Sequence, residues 1–421
     1  MERSWPDHHD RSSGGKLSRN LRQPRLRRLT HVAEVVSLGC RLNLSESEAM
    51  RAMLAAEPDL VVINSCAVTS EAARQTRQAI RRLRRERPHV RLMVTGCAAE
   101  IERDTLALMP EVDGLIANAV KLDPRAWNVA AALPAPARER HTRAFVAIQN
   151  GCDHACTFCV IPQGRGPSRS LPVAEVLRAV GRHVEAGVHE VVLTGVDLTS
   201  WGADLPAPAP LGKVVAAILE AFPALPRLRL SSLDGIEIDP LLFELIAGEA
   251  RVMPHVHLSL QHGDDLILKR MKRRHLRRDA LELVARLRAR RPGTAIGADL
   301  IAGFPTEDEA AHRANLSIVA ELGVVHGHVF PYSPRPGTPA ARMPQLDHGL
   351  IRARAAELRD AVARQRAPWL ASLVGQPLEV LAERDGTGHA QNFARVQLPP
   401  ATPAGSIVTI TPTRIIEGLL A

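Results

Sequence analysis

From residue 31 onward, short apolar runs alternate with amphipathic segments. Residues 31–38, 59–64 and 91–95 read as strands, and residues 45–55, 70–86 and 100–108 as the helices that follow them. Strand-then-helix repetition predicts an α/β fold whose first part, over about residues 31–135, is an open parallel sheet. A Pro/Ala-rich stretch at 133–137 reads as a linker. Beyond it a longer series begins, with strands expected at 143–149, 190–194, 227–231, 255–260, 294–301 and 326–330. Six such parallel units predict a partial TIM-like (β/α)6 barrel over residues 138–370, two units short of closure. After a basic helix at 350–367, residues 375–421 change character. Apolar runs at 378–382, 393–398 and 407–411, broken by Gly and Pro, predict a small OB-like β domain or a β appendage packed on the barrel.

At 421 residues and 45% apolar content, the chain is long enough for two or three domains. No run approaches a membrane span, and the amino terminus lacks the apolar core of a signal peptide, so no membrane partner and a cytoplasmic location are expected. In a reducing compartment the six cysteines are metal ligands or catalysts rather than disulfides. The net charge of +9 points to a polyanionic partner. Residues 1–30, with eight basic residues against three acidic ones, carry five of those nine charges. They read as a disordered basic leader, either an RNA-attracting arm or an extension without function.

The cysteines fall in two groups of three. Cys152, Cys156 and Cys159 are packed as Cys-x3-Cys-x2-Cys after the first barrel strand, at the end where such barrels keep their active sites. Cys40, Cys66 and Cys97 are scattered, yet each comes just after a predicted strand, so the carboxyl edge of the sheet would gather them. Singly, each would read as a small buried hydrophobe. Three thiolates neither close a tetrahedral site nor pair off as disulfides, so each trio implies a metal centre with an open position. A zinc knuckle needs a fourth Cys or His at close spacing, and the only neighbour, His154, lies inside the loop.

The segment RAFVAIQNGCDHACTFCVIPQGRGPSR resembles the cluster motif of the radical S-adenosylmethionine superfamily, and SLGCRLN, VVINSCAVTSEA and VTGCAAE resemble the three amino-terminal motifs of its methylthiotransferases. The likeness covers about residues 32–370. It implies a radical S-adenosylmethionine barrel and two 4Fe–4S clusters: a radical cluster on Cys152, Cys156 and Cys159, and an auxiliary cluster on Cys40, Cys66 and Cys97. It also implies an external one-electron donor, S-adenosylmethionine as both radical source and methyl donor, and sulfur insertion where the radical has removed hydrogen. The segments VVLTGVDLTSWG, LSSLDGIEI, LSLQHGDDLILKRMKRRH and VFPYSPRPGTPAARM resemble the threonylcarbamoyladenosine branch. For that branch the substrate is the modified adenosine beside the tRNA anticodon and the product its 2-methylthio derivative. The isopentenyladenosine and ribosomal-protein branches stand as alternatives, and a non-catalytic zinc-containing RNA-binding protein as the rival from another class.

At the barrel's strand ends, Thr194, Gly195, Ser231, Gln261, Asp299 and Gly303 resemble the cofactor-binding positions of radical enzymes; ordinary turn chemistry accounts for the same residues equally. For RNA, a helix over Glu71–Arg87 would put Ala73, Thr76, Ile80 and Leu83 on one face and Arg74, Arg77, Arg81, Arg84 and Arg85 on its neighbour. Only two acids within that segment oppose the arginines, which favours phosphate contact over a merely solvated face. Lys269, Arg270 and Lys272, after the fourth barrel strand, form a second basic group. Tyr332, the single tyrosine, is placed either to meet a splayed base or to cap the core. Two departures from the family pattern stand out: the short connection at Glu57 and Pro58, and the abbreviated β tail that would be its RNA-binding (TRAM-like) domain.

Overall fold

A parallel four-stranded sheet, a barrel of parallel strands and a mixed β tail follow one another along the computed structural model, which describes residues 33–130 and 142–421. The expected leader over 1–30 and the linker at 133–137 lie outside the described residues. The first sheet holds β1 (Glu34–Ser37), β2 (Leu60–Ser65), β3 (Arg91–Gly96) and β4 (Gly114–Leu115) in sequential order, all parallel. Every residue of β2 is buried because helices cover both faces. Val61 and Ile63 pack with Ile80 and Leu83 of α2 (Ser70–Glu86), while Leu60 and Val62 pack with Met50 of α1 (Arg41–Met53) and with Trp127.

The apolar stripe expected on α2 is the buried one: Ala73, Thr76, Ile80 and Leu83 all face the sheet. Its start is fixed by Thr69, whose hydroxyl accepts from the Ala72 N–H at 3.1 Å. Two helices differ from the pattern-based expectation. α1 begins four residues before the expected start, directly at Cys40, and the helix expected over 100–108 is two short ones, Cys97–Ile101 (α3) and Arg103–Ala107 (α4), broken at Glu102. In both cases a helix starts at the cysteine, Cys40 as the residue that caps α1 and Cys97 as the first residue of α3, within a few residues of the strand's carboxyl end.

The barrel strands are Ala144–Ala147, Glu190–Thr194, Arg227–Leu233, His255–Gln261, Ala295–Ala302 and Val324–Pro331, paired in parallel and in order. The third is interrupted at Ser231: its first part pairs with the second strand and its last two residues with the fourth. Alternation divides its residues between two environments. Leu228, Val256, Leu258, Ala298 and Leu300 enter the outer apolar core under the helices. Glu190, Arg229, His257 and Asp299 make their polar contacts with one another's strands on the inner side.

The expected β tail is a six-stranded mixed sheet, reached through the helix His348–Leu373. It docks on the barrel through polar ties: Arg227 donates to the Glu379 carbonyl at 2.8 Å, and Arg143 pairs with Glu383 at 3.0 Å. Phe393 reaches from the tail to the barrel's inner face and stacks on His255, centroids 5.0 Å apart. No described helix is long and apolar enough to cross a membrane.

Burial raises the Glu383 carboxyl's pKa, but His389, Arg143 and the Thr142 hydroxyl outweigh it and hold the group down at about 2. A depressed acid stabilises the fold above its unfolded value, roughly 4.3, and loses that contribution as pH falls towards 2. A Glu383→Gln variant should therefore unfold at lower urea than wild type at pH 7, with the gap narrowing steadily below about pH 4.5.

Candidate functional site

The ends of β1, β2 and β3 are stitched together by side chains that bond across strands. Asn43 donates to the Leu38 carbonyl at 2.7 Å and to the Ser65 carbonyl at 3.0 Å, tying the loop before Cys40 to the strand before Cys66. The Ser65 hydroxyl donates to the Thr95 carbonyl at 2.5 Å and accepts from the Ala98 N–H at 3.1 Å, tying Cys66 to Cys97. Gly39, at φ +93°, lets the turn pass so close to Cys66 that a methyl group there would lie 2.7 Å from its Sγ. Cys66 and Cys97 are buried, and Cys40 is exposed. Burial first, then repulsion from the other two thiols, pushes Cys66 up to about 11.

Beside this trio sits a buried charge network that the sequence pattern did not reveal. Arg165 reaches from α5 (Ile161–Arg165), just past the radical loop, to Glu46 at 2.9 Å and to Asn150 at 2.8 Å. Lys121 bonds the other Glu46 oxygen at 2.5 Å and the Asn64 carbonyl oxygen at 3.2 Å. α5 also packs on α3, where a methyl at Gly164 would lie 3.3 Å from the Cys97 Cβ. The two cysteine-bearing regions are therefore in direct contact.

In the Cys152–Cys159 loop each sulfur meets an N–H donor. His154 N–H faces the Cys152 sulfur at 3.4 Å, Ile161 N–H the Cys159 sulfur at 3.4 Å, and the Arg273 guanidinium the Cys156 sulfur at 3.7 Å. Burial pushes the Cys152 and Cys159 thiols up to about 12, so a cationic centre is what would hold them as thiolates. Soft donors in threes, with N–H groups aimed at the sulfurs, fit iron–sulfur ligation. His154 pairs with Asp197 at 2.7 Å in a close group with the Cys152 sulfur, and Asp197 and then Glu237 push it up to about 10.

The expected cofactor-binding positions separate into two groups. Thr194 and Ser231 are buried at the ends of the second strand and of the third strand's first part, and the Ser231 hydroxyl has no hydrogen-bond partner among the described residues. Gln261 ends the fourth strand at φ +69°, beside a register shift. Gly195 is shaped by Gln149, whose side-chain oxygen accepts from Val196 and Asp197 N–H, both at 2.9 Å. Two positions differ from expectation. Asp299 is not at its strand's end but three residues inside it, where it accepts from His257 at 3.1 Å and His328 at 3.0 Å. Gly303 faces the helix His348–Leu373, and a methyl there would lie 2.7 Å from Ile351, so its small size serves packing.

The basic residues separate likewise. Arg84 is committed to structure: it donates to the carbonyls of Pro88, Val90 and Glu111 and pairs with Asp113 at 2.6 Å. Arg77 pairs with Glu102, and Arg270 donates to the Thr306 hydroxyl at 2.7 Å. Beyond its own Glu71 and Glu86, which pair with Arg74 and Arg82, α2 is neutralised by Glu102, Glu111 and Asp113 of other elements, which a count within the segment misses. Arg74, Arg81 and Arg85 are exposed, as are Lys269 and Lys272. Tyr332 is buried against Phe304. A crevice of about 620 Å³ between Pro254, Arg291, Trp369 and Asn392 lies at the strands' amino ends, away from the cysteines.

Removing Glu46 leaves two buried cations, Arg165 and Lys121, without their carboxylate. Glu46→Ala should destabilise the metal-free protein by about 3–5 kcal/mol in urea unfolding, where an exposed glutamate such as Glu86 should cost under about 0.5 kcal/mol.

Residues 146–314 match the Radical SAM superfamily, and residues 33–117 match the Uncharacterized protein family UPF0004. A threonylcarbamoyladenosine tRNA methylthiotransferase of Rickettsia prowazekii is 41% identical over 404 residues, covering 92% of this chain and 96% of that protein. A tRNA-2-methylthio-N(6)-dimethylallyladenosine synthase of Cereibacter sphaeroides is 33% identical over 384 residues, 84% of this chain and 87% of that protein. Among solved structures, a radical S-adenosylmethionine methyltransferase from Kitasatospora setae aligns with a TM-score of 0.50 over 71% of this chain and 68% of that one; at 17% identity this shows a shared fold alone. With cysteine-bearing strand ends in both matched regions and 41% identity sustained over 92% of its length, the chain belongs to the radical S-adenosylmethionine methylthiotransferase family and is an enzyme of that type.

Proposed function

We propose that the protein converts threonylcarbamoyladenosine, beside the anticodon of tRNA, to its 2-methylthio derivative. The observation that carries this reading is the near-complete overlap, 92% of this chain with 96% of its Rickettsia relative, a threonylcarbamoyladenosine enzyme by name. In this reading Cys152, Cys156 and Cys159 hold the radical cluster and Cys40, Cys66 and Cys97 a second, auxiliary one. When bound, these clusters supply the electron that cleaves S-adenosylmethionine and the sulfur that is inserted. We assign the auxiliary cluster to residues 31–135, the radical chemistry to 138–370, and an abbreviated TRAM-like β domain to the tail from 375.

The protein's own groups bind, orient and shield. Gln149 braces the loop carrying Cys152 against the second strand end, since it donates to the Gly151 carbonyl at 2.8 Å while accepting from Val196 and Asp197. Thr194, Gly195, Ser231 and Gln261 line the strand ends where S-adenosylmethionine would lie, and the partnerless Ser231 hydroxyl is free to donate to it. Asp299, deeper in the barrel, is better placed for substrate than for cofactor. Arg85, Lys269 and Lys272 are exposed cations without an ion pair among the described residues, and Arg74 and Arg81 keep only surface pairs with Glu71 and Glu111, so these five are the ones offered to tRNA phosphates; Arg77, Arg84 and Arg270 hold structure instead. An external one-electron donor completes the requirements.

Anaerobically purified protein should contain roughly eight irons per chain, falling to roughly four when Cys152, Cys156 and Cys159 are all changed to Ala. Four irons in the wild type, all lost in that variant, would refute the auxiliary assignment. Nucleoside mass spectrometry of tRNA treated with the wild type should reveal the 2-methylthio derivative of threonylcarbamoyladenosine; its formation on dimethylallyladenosine alone would overturn the substrate assignment.

A further inference from the structure

Three arginines converge on the ring of Phe393. The guanidinium carbons of Arg41, Arg143 and Arg229 lie 5.6, 5.4 and 4.9 Å from its centroid. Two of the three have a carboxylate of their own: Arg143 pairs with Glu383 at 3.0 Å and Arg229 with Glu190 at 2.7 Å. Arg41, half-buried at the start of α1, has no carboxylate within ion-pair reach and no hydrogen-bond acceptor among the described residues. The acids nearest to it are already engaged, Glu190 by Arg229 and Asp299 by His257 and His328. A half-buried guanidinium among like charges, with no carboxylate of its own, is a place where an incoming anion would be held.

The missing carboxylate is one that the substrate carries. The threonylcarbamoyl group ends in a carboxylate, whereas a dimethylallyl group is uncharged and would call for an apolar wall. Apart from the Phe393 ring, the groups around Arg41 are charged or polar: Arg143, Arg229, Glu190 and Asp299 act on it, and His257 and His328 bond Asp299. Position agrees as well. The substituted nitrogen and the carbon that receives sulfur belong to one purine ring, so a group reading the substituent must sit close to the thiols of the auxiliary trio. Arg41 directly follows Cys40. Charge balance for those thiols falls to other residues, because the cations acting on Cys97 are Arg165 and Lys121, while the charged groups acting on Arg41 are Arg143, Arg229, Glu190 and Asp299.

We propose that Arg41 is the residue that selects the substrate, by binding the carboxylate of the threonylcarbamoyl group against the inner wall of the barrel, with Arg143 and Arg229 reinforcing the field. This rests on the function proposed above. The geometry needed is the two-pronged guanidinium–carboxylate pair, which lysine reproduces only in charge.

The test is binding of the cluster-loaded enzyme to anticodon stem-loop RNAs carrying threonylcarbamoyladenosine, its carboxyl methyl ester, or dimethylallyladenosine. Wild type should prefer the acid to the ester by about tenfold or more, as expected for a charge-assisted hydrogen bond. Arg41→Gln should bring that ratio close to one while binding of the ester stays near its wild-type value, and Arg41→Lys should keep part of the preference. Iron is counted on the same samples. A preference that survives in Arg41→Gln, or one absent from the wild type, overturns the proposal. Equal loss of acid and ester binding together with loss of iron also overturns it, because Arg41 would then serve the cysteine trio. Wild-type methylthiolation of dimethylallyladenosine RNA but not of threonylcarbamoyladenosine RNA would instead defeat the proposed function itself.

Discussion

One buried ion pair makes a single site of two folding regions. Glu46 belongs to α1 of the first sheet and Arg165 to the turn that follows the Cys152–Cys159 loop, and their side chains meet with almost no exposure to water. Taking a charge out of water costs several kcal/mol, so such a pair is poor value as a source of stability alone. Its worth is positional. Asn43 and Asn150 share the same guanidinium, and Lys121 shares the same carboxylate, so the ends of β1 and β2 and the radical loop are referenced to one another through a few bonds. The network holds two cations against one anion, and the remaining positive charge acts on Cys97. The charge left unmatched within the protein is thus on the side where thiolates would gather.

The chemistry of this chain is more legible in its sequence than its wiring. Cysteines are rare, and their placement after strands carries topological meaning, so the two trios could be located before any coordinates. The stripe on α2 was equally legible, since a period of 3.6 leaves little choice about which face is buried. Ion pairing was not. Arg77, Arg81, Arg84 and Arg85 look alike in a string of arginines, and only the fold brings Glu102, Glu111 and Asp113 to the first three. Asp299 was placed too near the strand end because the motif around it carries no signal of depth; the strand in fact runs on to Ala302. Asn43 and Glu46 were indistinguishable from solvent-facing positions of a helix, since nothing local marks a polar residue destined for a neighbouring region.

A further signal was present and went unread. His255 and His257, and again His326 and His328, sit two apart in strands whose other face is apolar. In a sheet that spacing puts both members of each pair on one side. The resulting lumen is wholly unlike the outer core: its walls carry histidines, arginines and acids in place of branched aliphatics.

That lumen is also where the fold gives up stability. Native proteins leave few buried polar atoms without partners, yet both ring nitrogens of His255, Nε2 of His326 and the Ser231 hydroxyl have none among the described residues. Burial drives His255 far below the ordinary histidine range and His326 down to about 3, so both rings are neutral at physiological pH and bring no positive charge of their own to the arginines beside them. An aliphatic lining would satisfy packing at lower cost, as it does on the opposite face of the same strands. Partnerless polar atoms occur elsewhere too, at Arg273, His275 and Arg354 among others, but those of His255, His326 and Ser231 belong to the barrel strands, where an enzyme can leave polar atoms for a bound group to satisfy. On the reading proposed above, the adenine edge and its charged substituent would be such a group, with Ser231 at a strand end and Arg41 next to Cys40 in the chain among the residues that meet it.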